Sequence, residues 1–100
     1  MANSNVDVTI DPKVSFQSGA GTAADATPES LDTVRNIKCF KGVDIRNSNG
    51  TAVNLLIGYR DSPPLYELPQ GEKIFLEVRF PGEVKVSGDG DTCDYTFLAY

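Results

Sequence analysis

The stretch that most constrains this chain is residues 65–78, LYELPQGEKIFLEV. Leu65 to Leu68 reads as a short strand and Pro69-Gln70-Gly71-Glu72 as a turn. Lys73 to Val78 reads as a second strand with Ile74, Leu76 and Val78 on one face. Alternation of this kind suits a half-buried sheet and cannot be wrapped onto a helix, so the centre of the chain predicts a hairpin-like staple in a β-rich domain.

The segments around it carry the same period. Ile37, Cys39, Val43 and Ile45 share a parity, with Gly42 as an expected bulge or break. Asn47-Ser48-Asn49-Gly50-Thr51 is a turn signal, because Asn-Gly tolerates the positive φ that tight turns require. Val53, Leu55, Ile57 and Tyr59 alternate on the next strand, and Arg60 to Pro64 forms a stiff loop. Phe80-Pro81-Gly82 turns the chain into a strand marked by Val84 and Val86. Gly88-Asp89-Gly90-Asp91 turns it again, and Cys93, Tyr95, Phe97 and Ala99 face inward from the last strand. The expected fold is all-β: a small antiparallel β-sandwich or barrel of six to seven strands with an extended N-terminal arm.

The N-terminal third is different. Val6, Val8 and Ile10 alternate with Asp7, Thr9 and Asp11, Pro12 interrupts, and Val14 and Phe16 continue the spacing. That pattern predicts a strand able to add to a sheet edge, which makes Val6, Val8, Ile10, Val14 and Phe16 the expected partner-binding residues. Residues 17–28, QSGAGTAADATP, lack large side chains and read as a flexible linker. Residues 28–32 could form one helical turn capped by Thr27. The expected organisation is therefore an arm and linker over residues 1–32 and a β-sandwich over 33–100.

Charge and composition narrow the function. Up to Asp32 there are five acids against Lys13 alone, so most of the net charge of −5 lies there. Phosphate binding needs a basic stripe, which argues against a nucleic-acid partner. No apolar run approaches the roughly 20 residues of a membrane span, and no leader pattern precedes the arm, so the expectation is a chain made in the cytoplasm. The chain has no histidine, the side chain best suited to acid–base work near neutrality. An enzyme is not expected, and no cofactor is implied.

Candidate sites each have a plainer reading. Asp89, Asp91 and Asp94 superficially suit calcium, but the downstream glutamate of a helix–loop–helix site is missing, and Asp and Gly are ordinary turn residues. Cys39 and Cys93 read as two buried thiols unless their strands are neighbours. Pro63-Pro64-Leu65-Tyr66 matches a short motif read by aromatic grooves, against a rigid loop with Tyr66 packed. Asn49-Gly50-Thr51 matches a glycosylation acceptor, relevant only to a secreted chain. Tyr59, Tyr66, Tyr95, Tyr100, Phe75 and Phe80 could form an aromatic platform, or could be cross-strand core packing.

The order of these motifs resembles a class of small all-β virion proteins of tailed bacteriophages. The resemblance rests on a strand ending Ile45-Arg46-Asn47, a small polar turn, an apolar strand from Val53 to Tyr59, and Leu68-Pro69-Gln70-Gly71-Glu72 before IFLEV. The usual form in that class is PGE, so Gln70 is an insertion. The resemblance implies a non-enzymatic virion part: a capsid decoration or cement protein, a head fibre or a tail accessory protein. Its implied partners are the major capsid protein, other virion proteins and further copies of itself, a trimer among the options. A ligand-binding β-sandwich module, reading carbohydrate or a calcium-dependent target, is the alternative from a different class.

Overall fold

A computed structural model of the chain describes residues 17–31, 36–64 and 66–100. The described residues are nearly all β, with eight strands and, as helix, only a 3₁₀ turn at Pro81–Glu83. The strands are β1 (Gln17–Ala23), β2 (Glu29–Ser30), β3 (Val43–Asn47), β4 (Leu55–Tyr59), β5 (Tyr66–Leu68), β6 (Lys73–Leu76), β7 (Val84–Gly88) and β8 (Cys93–Ala99). They form two four-stranded antiparallel sheets, ordered β1-β8-β3-β6 and β2-β7-β4-β5.

Alternation in the sequence decides which face of each strand is buried. Val43 and Ile45 in β3 and Cys93, Tyr95, Phe97 and Ala99 in β8 are buried from the first sheet, while Leu55, Ile57, Leu68, Val84 and Val86 are buried from the second. All belong to one core, with Val53, Ile74, Leu76 and Val78 half-buried against it. The parity expected for β3, β4 and β8 is the parity observed. Cys39 and Cys93 are buried and free.

Three expectations are corrected. Residues 17–23, read as linker, form β1, which pairs over its full length with β8 from Gln17 opposite Ala99 to Ala23 opposite Cys93. A segment of Gly, Ala, Ser and Thr has little of its own to bury, but β8 supplies a complete row of backbone partners, and that ladder overrides weak strand propensity. Glu29 and Ser30, expected in a helical turn, instead pair with Val86 and Lys85, and the neighbouring Leu31 is buried. The folded sheets therefore take in residues before 33 and contain eight strands rather than six to seven.

The third correction concerns the central stretch. β5 and β6 do not pair: β5 lies on β4 in the second sheet, and β6 lies on β3 in the first. Pro69 to Glu72 is thus a crossover between sheets. Asn47 holds it in place, since the Asn47 N–H donates to Glu72 O (2.9 Å) and Asn47 O accepts from the Gly71 N–H (2.9 Å). Gly71 sits at φ 81°, a conformation that glycine adopts without steric cost. Gly42 ends immediately before β3 and is packed so tightly that a Cβ there would overlap the Leu76 carbonyl.

Candidate docking groove

Two sheets that share a core have two sides, and here they differ. On the β1 and β2 side the chain itself closes the gap. Ala26 N–H donates to Gly88 O (3.3 Å), Gly88 N–H donates to Ala24 O (2.8 Å), and Asp25 Oδ1 accepts from the Gly90 N–H (3.0 Å). On the other side, among the described residues, β5 and β6 are the outermost strands of their sheets, and the Pro69 to Glu72 crossover joins them at one end.

Between them runs an apolar groove of about 370 Å³, lined by Ile57, Tyr59, Tyr66, Ile74, Leu76 and Val78 among others. Its residues are core residues by parity. Ile74 and Leu76 stand opposite Ile45 and Val43, and Tyr66 stands opposite Ile57. Because no further strand covers them among the described residues, Tyr66 is 51% exposed and Tyr59 43%. The groove continues into a more polar bay of about 510 Å³ past Cys39, Phe40, Arg60 and Arg79, where Phe40 is 71% exposed. Arg60 lies over the Tyr59 ring at 5.1 Å and pairs with Glu83 at 2.7 Å. Its guanidinium holds the Glu83 carboxyl below the usual range.

A polar bay of about 550 Å³ lies at the far end of the crossover, lined by Arg46, Ser48, Asn49, Gln70 and Thr96 among others. Gln70 donates from Nε2 to Asn49 O (3.1 Å) and forms part of its wall. Beneath it the side chain of Asn47, fully buried, answers all of its polar capacity. Its Nδ2 donates to Val53 O (2.8 Å) and Leu68 O (2.9 Å), and its Oδ1 accepts from the Asn49 N–H (3.0 Å) and the Cys93 thiol (3.3 Å). Burial pushes that thiol up to about 11, with Asp94 adding to the shift and the Asn47 bond opposing it.

The residues singled out in the sequence do not all meet. Val6, Val8, Ile10, Val14 and Phe16 lie outside the described residues. The acidic turn is spread over separate tasks: Asp91 Oδ1 accepts from the Thr92 N–H (2.8 Å) and Asp94 Oδ1 from Thr22 Oγ1 (2.6 Å). No group of three acids or cysteines able to hold a cation occurs among the described residues. The aromatic set is divided, with Tyr95 in the core and Phe75 against Tyr100 on the outer face of the first sheet at 6.0 Å. Only Tyr59 and Tyr66 meet at the groove, and the expectation that Tyr66 is packed is corrected by its exposure.

Sequence reasoning missed the groove because it took β5 and β6 for a hairpin. The turn carried no signal against that reading, because four-residue loops commonly join hairpin strands and nothing in them says which sheet the next strand joins. Among the described residues no helix is long and apolar enough to cross a membrane. Comparison with family models, with curated proteins and with solved structures gives no match.

Proposed function

We propose that this chain is a non-enzymatic structural protein of a bacteriophage virion, a capsid decoration or cement protein that docks on the shell and stabilises it. In this reading the two sheets are a β-sandwich, and the segment carrying Val6, Val8, Ile10, Val14 and Phe16 is an arm that pairs with the sheet edge of a neighbour. The observation that carries the reading is the open side between β5 and β6, where core-parity side chains stand half-exposed along two outermost strands. A bare edge beside uncovered apolar surface is an aggregation hazard unless a partner covers it, and strand addition is the mode of association that uses both. The motif order around Ile45-Arg46-Asn47 and Leu68 to Glu72 supplies the phage context.

The test is co-sedimentation with empty tailed-phage capsids lacking the protein. The full chain is expected to travel with the capsids and raise their melting temperature. The double variant Val8→Asp/Ile10→Asp is expected to keep its circular dichroism spectrum and lose attachment. Unimpaired attachment of that variant would remove the arm from the mechanism, and no attachment of the full chain would remove the virion reading.

One observation favours the second reading, a carbohydrate-binding module: the polar bay of Arg46, Ser48, Asn49, Gln70 and Thr96. That reading expects a signal on a glycan array that Arg46→Ala abolishes. A blank array eliminates it.

A further inference from the structure

We infer that the groove between β5 and β6 receives the Val6-to-Ile10 segment of a second copy of this chain, laid as a fifth strand along the outer edge of β6. The inference rests on the assembly reading above and names its partner and its receiving edge.

The backbone of β6 is set up for it. Asn47 N–H donates to Glu72 O, and Val43, Ile45 and Arg46 stand opposite Leu76, Ile74 and Lys73. In an antiparallel pair the hydrogen-bonding groups alternate in direction, so those of Ile74 and Leu76 point to β3 and those of Lys73 and Phe75 point away from it. Among the described residues no strand lies on that outward side.

The segment matches the edge in period, length and face. Val6, Val8 and Ile10 would lie over Ile74, Leu76 and Tyr66, while Asp7, Thr9 and Asp11 would face water. Five residues meet a four-residue strand, and Pro12, which lacks an N–H, ends the pairing. The occupant thus has one apolar and one polar face, as the last strand of a two-sheet core must.

Geometry selects a second copy over the chain's own arm. Gln17, Ala99, Val43 and Leu76 form one row across the first sheet, so β1 and β6 are three strand spacings apart. A strand beyond β6 lies about 19 Å from Gln17 at ~4.8 Å per spacing. The link from Ile10 to Gln17 reaches about 25 Å only when drawn straight. The chain from Ile37, held by Gln17 Nε2 (3.2 Å), to Gly42, whose N–H donates to Tyr100 O (3.0 Å), lies at that end of the sheet, so an arm folding back onto its own β6 would have to pass around it. An arm from another copy has no such detour to make. Reciprocal or ring-wise exchange then gives a closed oligomer in which every β6 edge is covered.

The test uses the full chain. Phe75→Pro removes an outward N–H from an outermost strand, a place where proline is tolerated, and leaves the bonds to β3 in place. Phe75→Thr removes the ring and keeps the N–H. The Thr variant is expected to remain oligomeric by light scattering and the Pro variant to fall to the 10.8 kDa monomer mass with an unchanged circular dichroism spectrum. An oligomeric, folded Pro variant overturns the inference. Should Phe75→Pro fail to fold, a photoreactive benzoylphenylalanine at position 66 in a mixture of isotopically heavy and light copies decides the matter. Heavy–light cross-links to residues 6–16 support arm exchange. Links within one copy, links to other segments or no links overturn it. Capsid co-sedimentation keeps the two ideas apart: arm exchange without capsid binding sinks only the virion reading, and a monomer that binds capsids sinks only the exchange.

Discussion

Asn47 has no solvent to turn to, so each of its polar atoms must be answered within the protein. Its side chain bonds to residues of both sheets, Leu68 from β5 and Cys93 from β8, and its backbone positions the crossover that separates β5 from β6. Asn47→Ala leaves the carbonyls of Val53 and Leu68 buried without that donor, at an expected cost of about 2–4 kcal/mol in urea unfolding. A cost below about 1 kcal/mol would mean that neighbouring groups reorganise to satisfy them. Cys93 makes a second prediction at this scale. Its buried thiol holds its proton beyond the pH at which the unfolded thiol loses it, so below that pH the thiol leaves stability unchanged. As pH rises from the ordinary thiol value toward about 11, the unfolded state ionises first and stability falls. Burial raises Cys39 as well, adding in the same direction. Denaturation series at pH 8 and pH 10 should show lower stability at the higher pH, and the native protein at pH 8 should react slowly with a thiol reagent that labels the unfolded chain at once.

Strand parity is where the sequence is most legible. Cys93, Tyr95, Phe97 and Ala99 alternate with Asp94, Thr96 and Leu98, and β8 is buried on the face that this pattern names. β1 was not legible, because QSGAGTA carries no alternation of large and polar groups. What makes it a strand is β8, 70 or more residues away, and pairing at that distance leaves no local trace. Ala23 and Leu31 belong to the core all the same. A chain beginning at residue 33 loses both, strips one edge of β8, and should lose on the order of 5 kcal/mol, close to the whole stability of a domain this small. A chain beginning at Gln17 keeps every described contact and should still melt cooperatively, below the full chain by what arm exchange adds. Thermal unfolding followed by circular dichroism compares the two, and a cooperative melt of the shorter one would show that β1 and β2 contribute little.

For the molecule as a whole, what matters is that among the described residues one side of the core is closed by the chain and the other is not. The difference traces to two short connections: residues 24–28 pass from β1 to β2 along one side, whereas the Pro69 to Glu72 crossover caps only an end of the other. Neither is readable locally, since each depends on which sheet the next strand joins. The alternation of Val6, Val8 and Ile10 is written locally in the sequence, but the edge proposed to receive it was hidden until β5 and β6 were assigned to different sheets. In the proposed reading assembly follows from the fold: Tyr59, Tyr66, Ile74 and Leu76, which no strand covers among the described residues, would be met by a strand from a second copy. The most direct measurement is the solution mass of the full chain beside that of the chain beginning at Gln17, by light scattering. A full chain at a defined multiple of 10.8 kDa and a folded, monomeric truncation is the expected result. A monomeric full chain, or a truncation that keeps the same multiple, would contradict assembly through the arm.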